Sequence, residues 1–282
     1  MNMFTNNLLV STSLKVVSIK EGIQSTIHSG KGCYYGLAQD KKFFYVAGRQ
    51  GLKGEAHPTV VVKFCKSDFL PVDNFTIENC HDVHGIDVVG NFAYIISTGT
   101  ADIFRLNVFT GEIEQKHLPT LVTECGEGRG SHLNTIKHLY DETFVFLGHR
   151  GPSSECSTLF KYNYTNNSIR EIDTNLGEHS HSYLARENGF MVCNSFNGEI
   201  IEKVLPLRKL CIKKYHKINS NLLLRGLIEL KDHFVLGLSQ HSMRQSRHSY
   251  GTGLLRFYDK EFKRYKEISL GEVGQVNEIL AL

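Results

Sequence analysis

HDVHGIDVVGNFAYIISTGTADIFRLNVFTGE, residues 81–112, is the fullest copy of a pattern that recurs along the chain. A polar opening enters a strand, a short turn follows, and an apolar strand begins on an aromatic residue. A polar loop and another alternating strand complete the unit. The same order returns in CYYGLAQDKKFFYVAGRQG from Cys33, HLNTIKHLYDETFVFLGHRG from His132, HSHSYLARENGFMVCNSFNGE from His179 and LLRGLIELKDHFVLGLSQH from Leu223. The turns are polar (DKK, VGN, YDE, ENG, KDH), and Phe43, Phe92, Phe144, Phe190 and Phe234 open the second strands. Short strands at this spacing with turn signals predict an all-β sheet protein, and no segment carries a sustained 3.6-residue period.

The two ends of the chain supply a sixth unit. QVNEILAL, from Gln275, reads as a first strand, and NNLLVSTSLKVVSIKEG supplies the second and third, with LLVSTS paralleling YIISTG. One unit built from both termini is the strand exchange that closes a propeller and removes free sheet edges. Aligned first strands place Tyr35, His84, Asn134, His181, Arg225 and Asn277 in equivalent positions, 44 to 52 residues apart. The sixth interval, across the termini, is 40, so the repeats use the whole chain. The expectation is one domain over residues 1–282, a six-bladed β-propeller, with a five-bladed ring and loose terminal extensions as the alternative.

Composition narrows the function classes. Of 282 residues 41% are hydrophobic and 22% charged, which argues for a packed core, and the net charge of +3 is spread out. A nucleic-acid partner would show a clustered basic stripe. No apolar run is long enough to span a membrane, and the N-terminus lacks the marks of a signal peptide. Seven Cys with no CxxC pair fit reduced thiols, and together these features predict a cytoplasmic protein. GEGRG, from Gly126, precedes a strand and reads as a loop between blades, not a phosphate cradle.

The chain has fourteen His, and nearly half of them fall in a few short segments. In a four-stranded blade the first strand lines the central channel. Positions two apart on a strand face the same way, so Cys33, Asp82, His132, His179, Leu223 and Gln275 form a second ring beside the first. Eleven of these twelve positions are not aliphatic, whereas packing alone would select Val, Ile and Ala. Such groups need partners among themselves, water or a ligand. The loops predicted for the same end carry Arg49, His149, Arg150, His241, Arg244, Arg247, His248 and Tyr250.

Two chemistries compete for this set. His84, His132, His179 and His181, with Asp82, would suit a divalent Fe, Zn or Mn ion; the bland alternative is a water-linked His and Asn network. Guanidinium groups of Arg225, Arg49, Arg150, Arg244 and Arg247 would hold an anion, although any single loop Arg also reads as a solvated surface residue. Arg225 stands apart because it lies on a first strand. Cys33 reads as a small buried filler. The reading is an enzyme of a small polar or anionic metabolite, a sugar acid or lactone, with His84, His179, His181 and Asp82 as acid/base groups or metal ligands. Tyr35, Arg49, Asn134, His149, Arg150, Arg225, His241, Arg244 and Asn277 would bind substrate. The rival is a non-catalytic ligand-binding or protein-interaction propeller.

SHLNTI, EHSHSYLARENGFMVCNSFNGEI and LLRGLIELKDHFVLGLSQHSMRQSR resemble a mainly bacterial family with a domain of unknown function, sometimes fused to tetratricopeptide repeats. The features carrying the resemblance are His81-Asp82, His132 with Asn134, His181-Ser182 with Asn194-Ser195, and Arg225-Gly226-Leu227 with Gly237-Leu238-Ser239. It implies a propeller and no particular reaction. General blade architecture is also shared with metal-dependent sugar-lactone hydrolases, from whose acidic-plus-Asn metal set this His-rich channel departs.

Overall fold

The structure is a computed structural model that describes residues 7–30, 32–50, 57–119, 132–149, 156–204, 212–218, 221–240 and 251–282. Within them the chain forms strands and no helix. Blade one combines β24 (Val276–Ala281) with β1 (Leu8–Thr12), β2 (Lys15–Lys20) and β3 (Ile23–Ser29). Blade two is β4 (Gly32–Gln39), β5 (Phe43–Gln50), β6 (Thr59–Cys65) and β7 (Pro71–Ile77). Blade three is β8 (Val83–Val89), β9 (Phe92–Ser97), β10 (Asp102–Asn107) and β11 (Ile113–His117). Blade four is β12 (His132–Tyr140), β13 (Thr143–His149), β14 (Ser157–Asn163) and β15 (Ser168–Asp173). Blade five is β16 (His181–Arg186), β17 (Gly189–Asn194), β18 (Glu199–Val204) and β19 (Ile212–Lys217). Blade six is β20 (Leu222–Glu229), β21 (His233–Gln240), β22 (Thr252–Asp259) and β23 (Tyr265–Glu272).

Each sheet is an antiparallel meander, and each innermost strand neighbours the innermost strands of the two flanking blades: β24, β4, β8, β12, β16, β20 and back to β24. The fold is therefore the six-bladed propeller expected, and the five-bladed alternative is excluded. Blade one is split as expected, with one addition: the N-terminal segment supplies its fourth strand as well as its second and third. Antiparallel pairing from Leu8↔Ala281 to Thr12↔Val276 closes the ring, reinforced by Ser13 N–H donating to the Gln275 carbonyl at 2.8 Å.

The apolar residues form six cores, one between each pair of adjacent blades. Tyr45, Val61, Ile86, Ile95 and Phe104 fill the gap between blades two and three, for example, and Val10, Val17, Val235, Leu255 and Ile279 that between six and one. Large side chains such as Phe44, Phe104, Phe146 and Phe257 are almost wholly buried, each contributing about 1.5–3 kcal/mol. Inner strands approach closely: a Cβ on Gly36 would lie 2.7 Å from Ile86 Cγ2 of the next blade. Burial is thus exhausted between blades, and the axis is left to polar residues. The tight turns are capped locally, as where Asp40 Oδ1 accepts the backbone N–H groups of Lys42 and Phe43 at 2.7 Å.

Candidate functional site

Every innermost strand carries a β-bulge at the same level. The residues that the ladder register skips are Tyr35, His84, Asn134, Ser182, Gly226 and Asn277. A bulge re-aims side chains and ends regular pairing, which is why it recurs beside sites. The aligned ring of the sequence reading is correct in four blades and one residue early in two. In blades five and six Ser182 (φ 57°) and Gly226 (φ 72°) take the bulge position in left-handed conformation. Repeat alignment could not register this shift because all six innermost strands carry the same extra residue, and its place within the strand leaves no mark in the pattern. His181 and Arg225, immediately before them, nonetheless face the channel.

Tyr35, His84, Asn134, His181, Arg225 and Asn277 together line one cavity on the axis, with Thr135, Ser182 and Glu278. It leaves about 10 Å³ for water centres, the room one water needs. Side-chain bonds tie this ring to neighbouring blades. Arg225 Nη1 donates to Asn277 Oδ1 at 3.1 Å, Asn277 Nδ2 to the Tyr34 carbonyl at 2.9 Å, and Asn134 Nδ2 to the Ser180 carbonyl at 2.8 Å. Ser182 Oγ accepts the Gly226 N–H at 2.8 Å, and Thr135 Oγ1 that of Ser182 at 3.1 Å.

Beside the ring runs a ladder of aromatic contacts. Tyr35 stacks on His84 at 4.7 Å between centroids, and His84 meets His132 edge-on at 4.7 Å. His132 packs on His149 at 4.7 Å and His149 on His179 at 4.5 Å; Phe196, itself exposed, follows His179 at 5.8 Å. Arg49 lies over the Tyr35 ring at 6.0 Å, 3.9 Å from Cys33 Sγ and 4.0 Å from Asp82 Oδ1. Asp82 Oδ1 is also 3.8 Å from His84 Nδ1. Asp82 and His179 hold left-handed backbone (φ 56° and 49°), which non-glycine residues adopt at a cost of about 1–2 kcal/mol. Such strain gathers at functional positions.

The electrostatics are one-sided. Burial drives His132 and His181 well below the ordinary imidazole range, and nearby imidazoles and the Arg225 guanidinium push them further. His149 falls to about 3, mainly by burial and then by His179 and His84. Burial likewise pushes the Tyr35 phenol up, so it stays protonated. At neutral pH the site holds neutral imidazoles beside two guanidinium groups.

The chain of donors fixes two tautomers. His84 Nδ1 is 2.9 Å from the Asp82 carbonyl, which can only accept, so Nδ1 carries the proton and Nε2 the lone pair. The Ser195 hydroxyl gives its single proton to the Leu224 carbonyl at 2.5 Å. It therefore accepts from His181 Nδ1 at 2.9 Å, leaving the His181 lone pair on Nε2. That nitrogen is buried and has no hydrogen-bond partner among the described residues.

All six residues of the aligned ring are thus brought together, with Arg49, Asp82, His132, His149 and His179 in the adjoining ladder. Arg150, His241 and Arg244 lie outside the described residues, as do Arg247, His248 and Tyr250. Among the described residues no group of three or more His, Cys, Asp or Glu side chains is arranged to hold a metal ion. His84, His132, His149 and His179 pack ring to ring in the ladder. Asn194 proves structural: it accepts the Glu178 N–H at 2.8 Å and donates to Glu199 at 3.1 Å. Thr98 has no role in the sequence reading, and Ser182 and Ser195 enter it only within the resemblance; for Thr98 and Ser195 the available signal was the hydroxyl shared by YIISTG and CNS at the ends of second strands. Cys33, Cys80 and Cys193 are buried and free, and no helix of the described residues is long and apolar enough to cross a membrane.

No protein-family model matches the chain, and no curated protein matches it. Solved structures do. The nidogen/laminin complex matches at a TM-score of 0.66 and 9% identity, over 97% of each chain. A putative 6-phosphogluconolactonase from Bacteroides fragilis matches at 0.58 and 9%, over 100% of this chain and 99% of that one. The periplasmic gluconolactonase of Pseudomonas aeruginosa matches at 0.59 and 9%, over 98% and 99%. At such identity the likeness is one of fold, and the chain shares the β-propeller architecture of these proteins from end to end.

Proposed function

We propose that this propeller is an enzyme of small anionic or polar metabolites, of the sugar acid or lactone class, acting at the mouth of its channel. The observation that carries this reading is the co-location of the neutral His181 imidazole with Arg225 on one axial cavity, and of Arg49 over the adjoining Tyr35 ring. Two of the solved propellers of similar fold are gluconolactonases, one of them putative, which agrees with the substrate class.

Lactone hydrolysis needs a base for the attacking water, a cation for the developing oxyanion and a proton for the leaving oxygen. His84 is suited to the first role, since its Nδ1–H is anchored on the Asp82 carbonyl and its lone pair lies on Nε2. The Asp82 carboxylate, 3.8 Å away, would stabilise the imidazolium that forms. Arg49 would face the oxyanion and afterwards hold the product carboxylate, and the His84 imidazolium would give the proton it took from water to the leaving ring oxygen. No step runs through a metal.

A second reading, binding without catalysis, is favoured by one observation: the imidazoles pack on one another, as in a structural network. One assay separates the two. Hydrolysis of D-glucono-1,5-lactone is followed by pH-stat with wild type, His84→Ala and His179→Ala. The enzyme reading expects acceleration over buffer that falls about 10²–10⁴-fold in His84→Ala. Gluconate binding without acceleration would leave the binding reading alone standing.

A further inference from the structure

Two hydroxyl groups in different blades make the same pair of bonds. Thr98 Oγ1 donates to the Leu133 carbonyl of the next blade's innermost strand and lies 3.3 Å from Nδ1 of His84 in its own blade. Ser195 Oγ donates to the Leu224 carbonyl of its next blade and lies 2.9 Å from Nδ1 of His181 in its own. In both places the single hydroxyl proton is committed to a carbonyl, so the oxygen accepts and the imidazole must donate; at His84 the Nδ1 proton is shared with the Asp82 carbonyl at 2.9 Å, which sets the same tautomer. Both histidines therefore hold their lone pair on Nε2, and both line the axial cavity.

Of the other polar groups around that cavity, Glu278 is an acceptor already ion-paired with Lys137 at 3.7 Å, Thr135 Oγ1 and Ser182 Oγ accept backbone N–H groups, and the rest are donors or can be. Tyr35 keeps its phenolic proton, Arg225 is a cation, and the carboxamides of Asn134 and Asn277 each carry a second N–H besides the one already placed. A bare oxyanion has no proton to offer the His181 lone pair and would meet it with repulsion. An alcohol hydroxyl donates one hydrogen bond and accepts two. It is also about the size of the water for which the cavity has room.

We propose that Thr98 and Ser195 are positioning residues that fix His84 and His181 as acceptors, making the axial ring a socket for one hydroxyl group of the ligand. The ligand class is then a hydroxy acid, its hydroxyl seated among His181, Arg225 and the asparagines and its carboxylate left at the mouth near Arg49. This rests on the anionic-metabolite reading above and adds to it that the deepest subsite reads a proton donor, not the charge.

The test uses the full chain and two probes that differ by one hydroxyl, glycolate and acetate. Titration calorimetry at neutral pH is expected to give glycolate an affinity about tenfold or more above acetate, one good hydrogen bond's worth. Ser195→Ala should shrink that ratio towards unity and Ser195→Thr should restore it. Long-range ¹⁵N–¹H correlation spectra should show His181 protonated at Nδ1 in wild type. Equal binding of the two acids overturns the socket while leaving the anion reading intact, and a His181 proton on Nε2 does the same without any ligand. If neither acid binds, the anion reading falls and takes the socket with it.

Discussion

The channel contains two polar levels that solve the problem of buried charge in opposite ways. One is the bulged ring of Tyr35, His84, Asn134, His181, Arg225 and Asn277. The other is built from Asp87, Lys137 and Glu278 on the same innermost strands. Lys137 Nζ lies 3.7 Å from Glu278 Oε1, and Asp87 accepts the His138 N–H at 2.6 Å. Glu278 holds the Lys137 ammonium above its ordinary range even against the burial that opposes it. That level is satisfied within the protein. The bulged ring holds the Arg225 cation beside neutral side chains and leaves a buried lone pair on His181. Polar residues on an axis are therefore not alike: a level whose groups answer one another is architecture, and one that leaves a group unanswered is a candidate site.

The contrast breaks most sharply at Lys137. Lys137→Met should destabilise the protein by about 2–4 kcal/mol in urea unfolding, because Glu278 is left with Asp87 and no cation. Lys137→Met with Glu278→Leu should recover much of that loss in a double-mutant cycle. A pair whose single and double replacements cost the same would refute the architectural role.

The ring makes the opposite kind of demand, visible in pH. His132, His149 and His181 have folded-state values below their unfolded value near 6.5. The unfolded chain therefore binds protons that the native protein refuses. Their stabilising effect is complete above about pH 6.5 and declines as the pH falls towards the folded values, about 3 for His149. Each group adds a slope of up to about 1.4 kcal/mol per pH unit in that window. Denaturation midpoints measured from pH 7.5 to 4.5 should fall steadily, and a flat profile would contradict neutral burial.

The smallest effect should come from Arg225→Met. Stability should change by no more than about 1 kcal/mol, since the cost of burying the guanidinium is removed along with its hydrogen bond to Asn277. Its signature is elsewhere: the His181 titration, followed by NMR, should move up towards the ordinary imidazole range. An unmoved His181 would remove Arg225 from the electrostatics of the ring.

Much of this was legible in residues. The Phe-led second strands and the pairing of LLVSTS with QVNEILAL specify six blades and their closure, because burial between blades repeats with the sequence. The twelve inner positions pointed to a polar axis for the same reason. What could not be read was the register within it, since a bulge at Ser182 or Gly226 leaves composition and spacing unchanged. Ring-on-ring packing of His84, His132, His149 and His179 was equally hidden: sequence supplies four imidazoles, and only side-chain direction decides whether they converge on an ion or lie against each other. Hydroxyl bridges such as Ser195 to Leu224 cross a blade boundary, and no local pattern announces them.

The split blade has a consequence for how the ring assembles. Five blades are meanders whose neighbours in space are neighbours in sequence, but blade one joins segments some 260 residues apart, with Gln275 N–H meeting Ser13 Oγ across 262 positions. Contacts of that separation form late and slowly. Asn277 sits on the late strand and reaches both flanking blades, Arg225 on one side and the Tyr34 carbonyl on the other. It is a keystone: until it is seated the arch stands open on two joints, and a molecule held by the ring would weight the equilibrium towards the closed arch. Ligand and seam are thermodynamically linked, so occupancy of the axis should be felt at the outer edge of the blade that the two ends of the chain share.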